Sequence, residues 1–384
     1  MDTLLLTVIA VVALALLFDF SNGFHDAANS IATVVATKAL SPMQAVLFSA
    51  VCNFLAYFFV GTAVANTVAK TVKSGFVSVP VIFAALLAAI VWNYLTWFVG
   101  MPSSSSHAII GGLVGAGLAV GGTAAVSWKS VTKVLYAIVL SPLVAFSVAA
   151  IGAGLVWALQ KVTGWGDDAK PFKGLQIVSA AAVSYGHGAN DAQKTMGVIA
   201  AVLAGAGYLN GKDKFLVPEW VALSAYAAIA IGTVWGGWRI IETMGLKLTN
   251  LNARVGVAAN IGATTAIFGA THFGIPISTT HAAASSVVGA GTASGRGANW
   301  KVVGEMVMAW VVTIPATIAL SFVFFKMTRL PGVLDVVVTS VVVAVIAVAI
   351  AWAMRHSIGH KELEAELPSD DAVVLPAGKE ATVG

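Results

Sequence analysis

Two acidic residues stand deep inside long apolar runs, in matching surroundings. Asp26 lies in "NGFHDAANS" (22–30) and Asp191 in "HGANDAQKT" (187–195). A shift of 165 positions lays Gly23 on Gly188, Asp26 on Asp191, Ala27 on Ala192 and Ser30 on Thr195. An ionisable side chain at bilayer depth costs roughly 2.5–3.5 kcal/mol on insertion scales and marks function by default. Around the two carboxylates stand Asn22, His25 and Asn29 in one copy, and His187, Asn190, Gln193 and Lys194 in the other. Carboxylate and amide oxygens together suit a hard monovalent cation, so Asp26, Asp191, Asn22 and Asn190 read as cation ligands. Gly23, Gly186 and Gly188 weaken a helix locally. An unwound backbone offering free carbonyls is therefore expected here, and is tolerated at depth only where it lines a cavity. An Asp that merely pins two helices needs neither the repetition nor the amides.

A hydroxyl cluster is also written twice. Residues 100–119 read "GMPSSSSHAIIGGLVGAGLA" and residues 274–293 read "GIPISTTHAAASSVVGAGTA". Over 100–117 and 274–291, nine of eighteen positions are identical. Gly-x-Pro ends one helix, and Ser or Thr caps the next. A helix that starts inside the membrane presents free N–H groups and the positive end of its dipole, which with added hydroxyls makes an anion site. Two such ends facing each other would grip a tetrahedral oxyanion from both sides. The candidate ligands are Ser104, Ser105, Ser106, Ser278, Thr279 and Thr280, completed by Asn29, Gln193 and Lys194. Neither cluster carries the charged residues expected of surface caps. His107 and His281, one turn inside each helix, read as packing residues rather than obligatory proton carriers.

Of the chain's 384 residues, 58% are hydrophobic and 10% charged, with a mean hydropathy of +0.90. Soluble domains carry about 25% charged residues, so the composition is that of an all-α integral membrane protein with many spans. The apolar start reads as a retained first span, since it lacks a basic n-region and a clear cleavage site. Cys52 is the only cysteine, which excludes an internal disulfide and a cysteine-based metal cluster. A net charge of +4 marks no nucleic-acid partner. Apolar units at 4–37, 43–66, 79–99, 103–122 and 130–160 are echoed by 174–207, 219–238, 253–271, 278–293 and 301–325. The expected organisation is a first half (1–160), a linker (161–173), a homologous second half (174–330), one extra C-terminal span (331–355) and a disordered polar tail (356–384). The offset between hydroxyl clusters exceeds that between acidic motifs by nine residues, placed in the loop 208–220. Five crossings per half would invert the second half, giving an inverted-repeat transporter. Units 1 and 4 are the candidates for broken helices or re-entrant hairpins at the substrate site.

"GFHDAAN" and "GHGANDAQK" resemble the duplicated signature of the inorganic phosphate transporter family, usually close to G-A-N-D-x-A-N. "PSSSSHA" and "PISTTHA" resemble its second repeated element. The likeness runs from the first span to about residue 325. It departs at Phe24-His25, where Ala-Asn is usual, and at Lys194, where the second copy's last Asn would stand. The resemblance implies phosphate uptake coupled to Na⁺ or H⁺, an inverted repeat, a homodimer and a place in the cell membrane; some members carry sulfate. The reading taken is a secondary transporter importing inorganic phosphate by symport with Na⁺, and the alternative is an H⁺-coupled phosphate or sulfate permease of the same architecture. Two buried carboxylates would repel a divalent anion in a low dielectric, and bound cations would relieve that repulsion. No P-loop signals ATP use, and no G-x-S-x-G elbow supports an intramembrane hydrolase. A channel for a neutral solute would gain nothing from buried Asp and Lys. No organic cofactor is expected.

Overall fold

The apolar runs fold as helices, which satisfy their own backbone groups within one segment where no water reaches. The computed structural model describes residues 3–209 and 216–367, in which fourteen α-helices and no strand form. The first half comprises α1 (Thr3–Ala36), α2 (Pro42–Leu55), α3 (Ala63–Ala69), α4 (Val79–Phe98), α5 (Ser105–Gly121) and α6 (Trp128–Thr163). The second comprises α7 (Lys170–Gly205), α8 (Glu219–Trp235), α9 (Trp238–Glu242), α10 (Ala253–His272), α11 (Thr279–Ala293) and α12 (Trp300–Met327). Then come α13 (Leu334–Arg355) and α14 (His360–Glu366). Six helices are long and apolar enough to cross a membrane, or up to eight if each bent pair is one span.

The two sets of six helices share several features. Helices α2 and α3 meet at 88°, and α8 and α9 at 70°. Helices α6 and α12 each carry an internal proline, Pro142 and Pro315. Packing follows the same exchange: α1 lies on α8 as α7 lies on α2, and α5 lies on α12 as α11 lies on α6.

The breaks are not where the acidic motifs led us to expect them. Helices α1 and α7 run unbroken through Asp26 and Asp191 for 34 and 36 residues, about 50 Å each. Their glycines serve close packing instead. A Cβ on Gly23 would strike the Ile229 carbonyl of α8, and one on Gly188 the Asn53 carbonyl of α2. Tertiary contact outweighs the roughly 1 kcal/mol helix penalty of glycine. It is units 43–66 and 219–238 that break, the second at Gly236 with φ +74°.

The linker is shorter than expected, because α6 extends to Thr163 and α7 begins at Lys170. Asp167 within it accepts hydrogen bonds from Gln160 (2.8 Å), Asn252 (2.6 Å), Arg254 (3.0 Å) and Arg296 (2.9 Å). Helix α13 is peripheral: only Ala353 is buried, and Trp352 meets Phe98 of α4 at 5.3 Å between ring centroids. The tail expected to be disordered from 356 is helical over α14, which buries Leu363; residues 368–384 lie outside the described residues, as do 210–215 of the inserted loop.

Candidate functional site

Helices α1 and α7 cross antiparallel. Thr37 donates to Gln176 at 2.8 Å and Asn22 to Asp191 at 3.2 Å, so positions ascend on one helix as they descend on the other. This brings the two motifs together at mid-helix. Hairpins α4–α5 and α10–α11 then carry the starts of two short helices onto the crossing. Ser104 caps α5 by accepting the His107 N–H at 3.2 Å, and Ser278 caps α11 by accepting that of His281 at 3.1 Å. One hydroxyl of each cluster is thus spent on its own helix. In the second cluster Thr279 and Thr280 both turn toward the carboxylates; in the first only Ser105 does, while Ser106 donates to the Ile277 carbonyl at 2.7 Å.

Ser105 donates toward Asn22 Oδ1 (2.6 Å) and Asp26 Oδ2 (3.0 Å). Thr279 lies 3.3 Å from Asp26 Oδ2 and 3.5 Å from Asp191 Oδ2, with Thr280 3.3 Å from Asp26 Oδ1. Asn29 donates to Thr279 (3.2 Å) and Thr280 (3.1 Å). His25 Nδ1 meets Asp26 Oδ1 at 2.7 Å; a carboxylate only accepts, so this nitrogen carries the proton. Its Nε2 faces Thr96 at 3.0 Å and Ser103 at 3.3 Å. Asp191 Oδ1 pairs with Lys194 Nζ at 2.7 Å. None of these groups is more than 5% exposed, and the site is closed to solvent in this conformation.

The middle of this cluster has more acceptors than protons. Ser105 and Thr279 each hold one proton and each faces two acceptors. Asp26 Oδ2, Asp191 Oδ2, Asn22 Oδ1 and the two hydroxyl oxygens form an all-oxygen set that fits a hard cation. Asp26, His187 and Asp191 also offer ligand atoms within 4.8 Å of one another.

Other predicted residues are drawn elsewhere. Asn190 binds the hairpin before α11, donating to Thr271 (2.9 Å) and the Ile275 carbonyl (3.2 Å) and accepting the Ile277 N–H (3.3 Å). Gln193 holds the start of α3, accepting the Val64 N–H at 2.9 Å while its own amide donates to Ala189. The structure therefore places neither beside the carboxylates' shared oxygens. Lys194 spends its three protons on Asp191, Ser106 and the Ile277 carbonyl, which leaves none for an anion. His107 and His281 face each other with ring centroids 4.5 Å apart, and His281 stacks on Trp310 at 3.9 Å. None of their four ring nitrogens has a hydrogen-bond partner among the described residues. Asp19 was missed by the sequence reading: it is fully buried beside Thr195 and Asn22, with both oxygens lacking a hydrogen-bond partner among the described residues. An acid in the run "LLFDFSN" was the available signal.

Spans of this length around a closed, doubly acidic polar centre define a multi-pass membrane transporter. The profile of the phosphate transporter family matches residues 22–321. A "probable low-affinity inorganic phosphate transporter" of Rhizobium meliloti (strain 1021) is 48% identical over 316 residues, covering 82% of this chain and 94% of that protein. The protein of the same description from Bacillus subtilis (strain 168) is 43% identical over 333 residues, covering 85% and 98%. A solved structure described as "the sodium-dependent phosphate transporter" superposes with a TM-score of 0.74 at 25% identity, over 85% of this chain and 100% of that one. The chain belongs to the phosphate transporter family; it is a transporter and not an enzyme.

Proposed function

We propose that the protein imports inorganic phosphate by symport with Na⁺, in a homodimer whose protomers each work as an inverted repeat. The antiparallel crossing of the equivalent helices α1 and α7 supports the inversion. The observation that carries the coupling is the acceptor-rich gap between Asp26 and Asp191, set against two helix starts. An anion approaching those N-termini meets favourable dipoles and unfavourable carboxylates. A cation between the carboxylates removes the repulsion, so each ligand strengthens the other's binding and the coupling is reciprocal. Ser105, Thr279, Thr280 and Asn29 are the donors within reach of the anion, since Ser106 gives its proton to the Ile277 carbonyl. Phosphate keeps a proton at neutral pH that needs an acceptor, and the Asn and Asp oxygens here favour it over sulfate, which only accepts.

Uptake of labelled phosphate into proteoliposomes tests this. An inward Na⁺ gradient should drive accumulation at equal pH on both sides. Accumulation that follows a proton gradient and ignores Na⁺ would replace the reading with H⁺ symport. Light scattering should give twice the 39.3 kDa chain mass after subtraction of detergent.

A further inference from the structure

The ammonium of Lys194 sits in a cage of oxygen atoms. Its three contacts are a carboxylate oxygen (Asp191 Oδ1, 2.7 Å), a hydroxyl (Ser106) and a backbone carbonyl (Ile277, 3.0 Å). All of these side chains are buried to within 1%. Such a set of hard oxygens is what a monovalent cation takes in place of water. The repeat supplies a control. Under the 165- and 174-residue offsets, the mates of Asp191, Ser106 and Ile277 are Asp26, Thr280 and Ser103, and the mate of Lys194 is Asn29. In that half, Thr280 stands 3.3 Å from Asp26 Oδ1 and Asn29 donates to Thr280 at 3.1 Å. The carboxylate and hydroxyl of the cage recur there, but the tethered positive charge is present on one side only.

We propose that the Lys194 ammonium is a built-in substitute for one coupling cation, which confines exchangeable Na⁺ to the Asp26 half of the site. An ammonium and a Na⁺ ion each carry one charge and each is satisfied by oxygen acceptors. Lys194 cannot leave, since its stem is anchored in α7 three residues from Asp191. One carboxylate of the pair is therefore neutralised throughout the transport cycle. Only Asp26 waits for an ion, and phosphate moves with fewer Na⁺ than a symmetric site would require. The same contacts explain why Lys194 adds no donor to the anion.

The inference rests on the Na⁺ coupling proposed above, and equilibrium binding of radioactive ²²Na⁺ to purified protein without phosphate separates the two. Lys194→Asn copies the mate found at position 29 and opens the second cage. It should bind one more Na⁺ per protomer than the unaltered protein, with a steeper Na⁺ dependence of phosphate uptake. Lys194→Arg keeps the charge and should leave the Na⁺ number unchanged. The reciprocal variant Asn29→Lys should lose the Na⁺ that the unaltered protein binds, which keeps the test decisive if Lys194→Asn does not fold. Unchanged Na⁺ stoichiometry in folded Lys194→Asn, or in Asn29→Lys where the unaltered protein binds Na⁺, overturns the substitute role. If the unaltered protein binds no Na⁺ but Lys194→Asn does, Na⁺ symport fails and the substitute role stands.

Discussion

Replacing Asp191 by Asn strands a charge, whereas replacing Asp26 does not. Asp191 and Lys194 are both fully buried and pair at 2.7 Å. In Asp191→Asn the ammonium loses its only charged acceptor and keeps neutral ones: Ser106, the Ile277 carbonyl and at most the amide oxygen at 191. Removing one partner of a buried ion pair costs about 3–5 kcal/mol. Asp26 is held by hydroxyls and by His25 Nδ1, whose other ring nitrogen faces Thr96 and Ser103. Asp26→Asn forfeits a hydrogen bond to a charged acceptor, worth about 1.5–3 kcal/mol. Against a total stability of about 5–15 kcal/mol, the gap of roughly 1–3 kcal/mol is measurable. Both single variants should lose cation-coupled uptake, yet Asp191→Asn should melt well below Asp26→Asn. Thermal unfolding in detergent, without Na⁺ or phosphate, reads this through the 11 tryptophans. The double variant Asp191→Asn, Lys194→Met removes the orphan and should regain most of the loss. Equal melting of the two single variants, or no recovery in the double, would refute the reasoning.

Three further outcomes follow from the geometry. Ser105→Ala should weaken phosphate binding at saturating Na⁺ more than Thr279→Ala, since Ser105 lies 2.6 and 3.0 Å from its acceptors and Thr279 3.3 and 3.5 Å; the expected range is about ten- to a hundredfold, for a loss of about 1.5–3 kcal/mol, and the reverse order in a phosphate titration counts against the assignment. Gly188→Ala should lower folded yield sharply, because its Cβ meets the Asn53 backbone, while Gly154→Ala should be neutral, having nothing within 4 Å. Asp167 works against its own partial burial, and the hydrogen bonds of Gln160 with the charges of Arg254 and Arg296 hold its carboxyl below the usual Asp range. Its stabilisation is therefore complete above the ordinary Asp value of about 3.9 and is lost as pH falls through the lower folded value; Asp167→Asn should flatten that acid limb in a pH series of melting curves.

Much of this was legible in the residues, because periodicity and repetition report directly on burial. Every expected apolar unit is helical, and the two hydroxyl clusters start helices at Ser105 and Thr279 as Gly-x-Pro and the caps require. What misled was glycine. A glycine beside a polar motif reads equally as a helix breaker or as a contact point, and only the neighbouring helix decides. For Gly23 and Gly188 the neighbours are backbone carbonyls of α8 and α2. Gln193 and Asn190 went astray for a related reason: an amide beside an Asp in sequence points elsewhere on a helix, where adjacent residues do not share a face. Gln193 met the free N–H groups of α3, and Asn190 those of the α10–α11 hairpin.

On the inverted repeat proposed above, the scaffold is closer to twofold than its chemistry. His25 and Asn190 are mates, and each reaches a threonine at the end of the preceding hairpin helix: Thr96 at 3.0 Å and Thr271 at 2.9 Å. The contact survives while the group making it changes from an ionisable ring to an amide. Asn22 and His187 exchange in the opposite sense, and both approach Asp191, at 3.2 and 3.7 Å. Asn29 and Lys194 differ by a full charge. Backbone packing must be alike in the two halves for α1 and α7 to cross as equivalents, so these positions tolerate little change in path. Their side chains answer to a different demand: one anion and its cation share a single centre, and that centre has no need to be the same on both sides. Symmetry is therefore kept in the glycines, caps and proline-bearing helices, and broken at the mate pairs His25/Asn190, Asn22/His187 and Asn29/Lys194 that surround the two carboxylates.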